Sequence, residues 1–381
     1  MAKHLVIMAG GIGSRFWPMS TPQYPKQFID ITGCGRTMIQ QTFDRFGTCG
    51  EHAEPIIDID HVWVVTSANY KALVEEQLHD INPQHILLEP CMRNTAPCVA
   101  YVSWKIQRED PEALIVVAPS DHLVLNVPAF QATIRKGLDF VSAGNRILTL
   151  GMTPTRPETG YGYIEQGEEA KDSLNSSNSA CAEPVDVCSN IHKLKAFREK
   201  PNLTTAIEYL QKGGFTWNSG MFLWGVNTIV SELRAHAPQI AGVMDQMVDS
   251  FFTDKEQQLV NELFPTCEKI SIDYAVMEKT KMAYVMPAEF GWSDLGTWGS
   301  LHTLSDHDEN NNAVIGNNIS LIECSGCMVH IKNEEPSPFK GDKRGSQVVI
   351  QGLKNCIVSE HNGTLLICQL SEEQRIKEWH E

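Results

Sequence analysis

The sequence predicts an α/β protein built on a mixed, mainly parallel sheet and followed by a small all-β domain. Three observations carry that reading. Strand and helix patterns alternate through roughly the first 150 residues. Continuously apolar runs such as Leu114-Ile-Val-Val117 fit a parallel sheet covered on both faces. After about residue 310, short strands alternate with turn residues.

Taken in order, strands are expected over 4–8, 61–66, 85–88, 114–118 and 146–150. Helical stretches lie between them over 37–46, 68–79, 95–107 and 128–141. Residues 168–190, rich in Ser, Asn, Glu and Ala, read as a long surface excursion between two β segments, 160–165 and 193–197. From Pro201 to Thr280 the pattern is mostly helical, broken by a strand-like stretch over 215–224. In the tail, strands are expected over 320–323, 347–350, 356–358 and 364–368, with an exposed loop over 333–345. The boundary falls in 306–312, giving domains 1–305 and 306–381.

The most informative segment follows the first strand. Gly10, Gly11 and Gly13 occupy three of four positions, so the backbone can approach a phosphate chain with its amides turned inward. Arg15 and Lys26 add positive charge with no acid between Met8 and Gln27. Walker A is excluded because no Gly-Lys-Ser/Thr follows Gly13. The dinucleotide fingerprint is excluded because Phe16 stands where its third glycine belongs and Pro18, Pro22 and Pro25 forbid an uninterrupted helix. An oxidoreductase is thereby set aside.

Bulk properties narrow the class further. A chain of 381 residues with 42% hydrophobic content can bury a large core. No run reaches the roughly 18 apolar residues of a membrane span, and the first strand is too short for a signal peptide. Eleven scattered cysteines suggest reduced thiols and a cytoplasmic setting. Cys324-Ser-Gly-Cys327 has no second pair and reads as a β-turn rather than a zinc site. The formal charge of −16 argues against a nucleic-acid-binding surface.

In an open α/β sheet, ligands bind beyond the carboxyl ends of the strands. The polar motifs fall there. Glu89-Pro-Cys-Met-Arg-Asn-Thr-Ala-Pro97 follows one strand; Asn94 or Thr95 can cap the next helix, and the Glu89 carboxylate can accept from guanine N1–H and N2–H. Asp121, in Ala118-Pro-Ser-Asp-His122, follows another strand and suits Mg²⁺, which favours one or two carboxylates plus phosphate oxygens. His122 reads as a packing neighbour. Further on, glycine, aromatic and polar residues combine as in a sugar pocket at Gly160-Tyr-Gly, Glu199-Lys-Pro201, Trp217-Asn-Ser-Gly and Gly291–Trp298. Glu199 and Asn218 can bridge vicinal hydroxyls, and Lys200 can meet a phosphate. Asp294 offers a second metal carboxylate or, more plainly, an N-cap for a helix over 295–304.

The motifs AGGIGSRFWPMS, PKQF, EPCMRNTAP, APSDH, TGYGYI, FREKP, WNSGMFLW, SIDYAVMEK and GWSDLGTW span residues 5 to about 300. Together they resemble the mannose-1-phosphate guanylyltransferase (GDP-mannose pyrophosphorylase) family of sugar-nucleotide nucleotidyltransferases. The resemblance implies a Rossmann-like nucleotidyltransferase domain and a small β domain like a partial left-handed β-helix. It implies GTP and mannose 1-phosphate as substrates and Mg²⁺ as cofactor. Ala9, Gly10, Gly11, Gly13, Ser14, Glu89, Asn94, Thr95, Ala96 and Asp121 would bind nucleotide, with Arg15 and Lys26 catalytic on its phosphates. Gly160, Glu199, Lys200 and Asn218 would line the sugar-phosphate site, and Asp121 with Asp294 would hold the metal. Departures are Phe16 for the more frequent leucine, Cys98 for alanine, and the long 168–190 stretch.

The expected reaction is in-line attack of the sugar phosphate on the α-phosphorus of GTP, with repulsion between two anions as the main obstacle. Longer bacterial members continue into an isomerase domain, so phosphomannose isomerase activity is expected to be absent. Two alternatives stay open: transfer to another hexose or heptose 1-phosphate, and a catalytically silent sugar-nucleotide sensor. The tail's exposed strand edges are a candidate homodimer surface; no nucleic-acid or membrane partner is expected.

Overall fold

The computed structural model describes residues 1–11, 13–47, 54–170, 188–331 and 347–379. Its strands begin with β1 (Lys3–Ala9), β2 (Val62–Ser67), β3 (Ile86–Glu89), β4 (Leu114–Pro119), β5 (Leu123–Val124) and β6 (Ile147–Met152). They continue with β7 (Tyr163–Glu169), β8 (His192–Arg198), β9 (Phe215–Gly225), β10 (Ala283–Ala288) and β11 (Trp292–Ser293). The last six are β12 (Ala313–Gly316), β13 (Ile319–Ile322), β14 (Met328–Ile331), β15 (Val348–Gln351), β16 (Cys356–His361) and β17 (Thr364–Gln369).

The chain divides into two compact units. The first comprises Met1–Gly10, Thr42–Ser120 and Val124–Trp292, and the second comprises Gly11–Gln41, Asp121–Leu123 and Ser293–Glu381.

The first unit is an α/β structure around a nine-stranded sheet of order β3-β2-β1-β4-β9-β6-β10-β8-β7. Pairs β1–β2, β2–β3, β1–β4 and β6–β10 are parallel, whereas β9 is antiparallel to β4, β6 and β7. Strand β8 is antiparallel to β10 and β7. Only β9 and β8 therefore run against the other seven, which makes the sheet mixed and mainly parallel. The central strands are apolar on both faces; Leu5, Val6, Ile7 and Ile115, Val116, Val117 have no exposed surface.

Helix Thr95–Glu109 lies within this core, with Ala96 to Ile106 buried throughout. Two of its interior polar groups share one partner: Tyr101 Oη donates to Glu256 Oε1 at 2.8 Å, and Lys105 Nζ lies 2.7 Å from the same oxygen. A buried charge survives there because it is paired. The registers Ala9↔Thr66, Met8↔Pro119 and Ser67↔Glu89 bring the carboxyl ends of β1, β2, β3 and β4 to one sheet edge.

The second unit joins the proline-bearing loop after Gly11 to the β-rich tail in one core. Phe16, Met19, Ile29, Ile31 and Met38 pack with Leu295, Trp298 and Leu301, and with Met328, Ile357, Leu366 and Ile376. Rings of Phe16 and Trp298 lie 5.2 Å apart. Exchanging such a buried aromatic for alanine costs about 3–5 kcal/mol.

In the tail, β12, β14 and β16 stack in parallel, β17 closes that sheet antiparallel, and β13 pairs β15 in parallel. Strands β13, β15, β16 and β17 match the expected ones. Strands β12 and β14 were not among the expected ones. Cys324 and Cys327 are buried, and their thiols donate to the carbonyls of Ile322 and Ile350 and of Ser325 and Leu353. The expected loop over 333–345, and positions 171–187 of the 168–190 excursion, lie outside the described residues. No helix among the described residues is long and apolar enough to cross a membrane.

Candidate active site

Six of the candidate residues surround one open cavity of about 330 Å³ in the second unit: Gly13, Ser14, Arg15, Lys26, Asp121 and Asp294. Gly11 belongs to the same unit, and residue 12 of the loop lies outside the described residues. Gly13 adopts φ +67°, and an added Cβ would come within 2.4 Å of Lys26 Cβ. Both the left-handed backbone and the close approach demand glycine here. Two carbonyls of the turn are satisfied from within the loop: Ser20 Oγ donates to Gly13 O at 2.5 Å and Gln27 Nε2 to Gly11 O at 2.8 Å. Ser14, Arg15 and Phe16 form a single 3-10 turn whose Phe16 anchors it in the core and whose Arg15 stays exposed.

Lys26 is the centre of this cluster. It is 3% exposed, and its ammonium donates to Asp121 Oδ2 at 3.0 Å, Asp121 O at 2.8 Å and Asp294 O at 2.6 Å. The three donors of an ammonium are thereby all engaged by protein oxygens. One side chain thus ties together the two segments that carry the expected metal carboxylates. Burial tends to raise the Asp121 carboxyl, but the charges of Lys26 and His122 and the Lys26 hydrogen bond outweigh it, so Asp121 titrates below the usual carboxylate range. His122 Nε2 lies 3.9 Å from Asp121 Oδ1.

Arg15 Nη1 donates to Gly296 O at 3.3 Å, and Gly296 N donates to Asp294 Oδ1 at 3.0 Å. Asp294 therefore shapes a tight turn rather than capping a helix from 295. The helix is shorter, Trp298–Leu304, and its cap is Thr297, whose hydroxyl accepts from Ser300 N. The sequence reading missed one residue of this cavity altogether, Lys377.

The remaining candidates lie in the first unit, in two groups. Ala9, Gly10, Glu89, Asn94, Thr95 and Ala96 follow the carboxyl ends of β1 and β3. Ala9 O accepts from Thr66 Oγ1 at 2.8 Å, and a Cβ on Gly10 would lie 3.9 Å from Glu89 Oε2. Glu89 is buried, its Oε1 has no hydrogen-bond partner, and burial pushes its carboxyl up to about 8 despite a bond with Cys98. The Asn94 side chain accepts from Thr95 N at 2.8 Å with φ +69° at Asn94. Thr95 Oγ1 accepts from Ile272 N at 2.9 Å, Ala96 N donates to Ile270 O, and the Arg93 guanidinium donates to Pro265 O. The 89–97 segment is thus fixed by the chain around 265–272.

The second group is built around Asn218. Its amide donates to Asp273 Oδ1 at 3.2 Å while its oxygen accepts from Thr149 Oγ1 and Gly220 N. Its backbone N–H donates to Gly162 O at 2.8 Å. Glu199 pairs with Lys200 at 2.9 Å, and a Cβ on Gly162 would meet Glu199 Oε2 at 2.7 Å, so a larger residue there would displace the Glu199 carboxylate. Gly160 N donates to Glu158 Oε1. Tyr161 stands edge-on to Trp217 and Trp292 at 5.2 and 5.3 Å, an aromatic wall, whereas Trp298 is fully buried core. Asp273 was also missed, although its SIDYAVMEK motif stood out; burial first, then Glu199, raises its carboxyl to about 6.

Glycine turn, paired cations and two carboxylates in one cavity suit the transfer of a phosphoryl-type group, and residues 4–311 match the nucleotidyl transferase family model. Mannose-1-phosphate guanylyltransferase of Salmonella montevideo is 36% identical over 375 residues, 98% of this chain and 72% of that protein. The Escherichia coli enzyme of that name is 34% identical over 377 residues, 98% of this chain and 74% of its own length. The crystal structure of mannose-1-phosphate geranyltransferase from Thermus thermophilus is similar with a TM-score of 0.80 at 26% identity, covering 99% of this chain and 98% of that one. The chain belongs to the nucleotidyl transferase family and, within it, to the mannose-1-phosphate guanylyltransferases.

Proposed function

We propose that the protein transfers GMP from GTP to α-D-mannose 1-phosphate, giving GDP-mannose and pyrophosphate. The observation that carries this reading is the Lys26 ammonium joined to both Asp121 and Asp294 beside the Gly13 turn. A phosphate oxygen of the sugar phosphate forms the new bond to the α-phosphorus. The bond from that phosphorus to the β-phosphate oxygen breaks, and its electron pair leaves on pyrophosphate. The attacking oxygen is already ionised near neutral pH, so no general base is required.

In this reading, Gly11, Gly13 and Ser14 contact the triphosphate, and Ala9, Gly10, Asn94, Thr95 and Ala96 are further nucleotide contacts. Glu89 reads the guanine. Arg15 offsets phosphate charge directly, while Lys26 adds its charge and holds the Asp121 carboxylate and the Asp294 backbone. Gly160, Glu199, Lys200 and Asn218 hold the mannose 1-phosphate. The donor set fits Mg²⁺: Asp121 is held ionised and Asp294 shares its cavity, leaving other positions to phosphate and water. Bound there, Mg²⁺ would screen the triphosphate and stabilise the leaving group.

The parallel stacks β12-β14-β16 and β13-β15 support a partial left-handed β-helix in the tail. Exposed Leu365 and Ile367 on its outermost strand support a homodimer through that surface. A GTP-consuming activity supports a cytoplasmic setting. The test is pyrophosphate release from GTP and mannose 1-phosphate with Mg²⁺; absence of release from folded protein would overturn the reading.

A further inference from the structure

We infer that Lys377 is a phosphate-binding residue of this site, facing the part of the triphosphate that leaves as pyrophosphate. The inference rests on the proposed guanylyl transfer. Lys377 lines the same cavity as Arg15, Lys26, Asp121 and Asp294, though it lies in the 3-10 segment Leu370–Glu378 far along the chain. Two contacts hold that segment in place. Ile376 is fully buried in the core that includes Phe16 and Trp298, and Glu373 Oε2 accepts from Gly299 N at 2.6 Å. Lys377 is thereby delivered beside the Ser14–Phe16 turn.

Charge explains why a third cation belongs there. The cavity carries two carboxylates, and the three donors of Lys26 are all spent on Asp121 and Asp294. Arg15 gives one bond to Gly296 O and keeps the rest of its guanidinium. Lys377 is exposed and makes no ion pair with the described residues, so its ammonium is available to an incoming anion. A flexible, strongly hydrated point charge suits a group that must be held and then released.

The test uses the full chain, with Lys377→Ala and Lys377→Arg beside wild type. Binding of inorganic pyrophosphate with Mg²⁺ is measured by calorimetry, and the KM values for both substrates by steady-state kinetics. For Lys377→Ala, the pyrophosphate Kd and the KM for GTP should each rise about tenfold, as for loss of one hydrogen bond to a charged group. The KM for mannose 1-phosphate should stay unchanged, the thermal midpoint should match wild type, and Lys377→Arg should retain most of the affinity. Unchanged pyrophosphate and GTP affinities in Lys377→Ala, with wild type active, would overturn the role of Lys377 alone. Wild type that binds pyrophosphate through Lys377 yet never converts GTP and mannose 1-phosphate would instead overturn the proposed reaction.

Discussion

Lys26 and Asp121, 95 residues apart in sequence, meet at 3.0 Å in a cavity where the lysine is almost wholly buried. The same ammonium also takes the Asp294 carbonyl at 2.6 Å, so three stretches of chain converge on one nitrogen. The site is preorganised around the Lys26 ammonium. That ordering matters, since donors fixed before reaction cost no rearrangement when charge develops.

Replacing Lys26 should therefore damage both rate and architecture. Lys26→Ala is expected to lower kcat by about 10²–10³, because it removes a fixed charge beside the phosphates and releases the Asp121 and Asp294 segments it holds. With Lys26 present, the Asp121 pKa is depressed, so its contribution to stability is present above the unfolded value and lost as pH falls through the folded one. Without Lys26 that Asp121-linked loss should shrink, so the stability gap between wild type and variant should close as pH falls; unfolding curves against pH test this.

Gly13→Ala combines a left-handed φ of +67° with a Cβ 2.4 Å from Lys26 Cβ. The backbone alone costs about 1–2 kcal/mol in that region. Thermal denaturation should show at least that loss, and activity should fall further because Lys26 must move. A variant with wild-type stability and turnover would contradict the turn geometry.

Asp294→Asn tests the metal proposal separately from the fold, and Asp121→Asn tests it together with the Lys26 ion pair. Each should shift the Mg²⁺ concentration giving half-maximal activity upward, by about tenfold or more if a ligating charge is lost. Asp294→Asn keeps an oxygen able to accept from Gly296 N, so its thermal midpoint should change little. A Mg²⁺ titration identical to wild type in both variants would remove them from the metal site.

Glu89 yields a pH prediction. Its folded pKa of about 8 lies above the ordinary value of 4.5, so between the two the folded state holds a proton that the unfolded chain has lost. Stability should fall as pH rises between those values, with a slope of up to about 1.4 kcal/mol per pH unit. Glu89→Gln should flatten that slope in denaturant titrations. If the carboxylate accepts from guanine, GTP binding must also expel this proton, so wild-type affinity should strengthen from about pH 7 to 8 and the Gln variant should not follow.

Much of the fold was legible locally. Leu5-Val-Ile-Met8 and Leu114-Ile-Val-Val117 announce buried parallel strands because every position is apolar, and the structure puts β1 beside β4. Asn94 at a helix start is equally local. What stayed hidden depends on contacts distant in sequence. The 3-10 segment carrying Lys377 has no motif, and its place is set by Ile376 packing in the core that holds Phe16. The alternative to Asp294 as a metal carboxylate, a helix cap before an apolar stretch, fails because Thr297 takes that role and the Asp294 side chain bonds Gly296 N. Asp273 accepts from Asn218, 55 positions away, a contact that no local pattern announces.

The most direct measurement is pyrophosphate release from the full chain, pairing GTP or ATP with mannose 1-phosphate or glucose 1-phosphate, with and without Mg²⁺. Release confined to GTP, mannose 1-phosphate and Mg²⁺ together is the predicted result. Release with ATP at a comparable rate, or none from folded protein that still binds GTP, would contradict it.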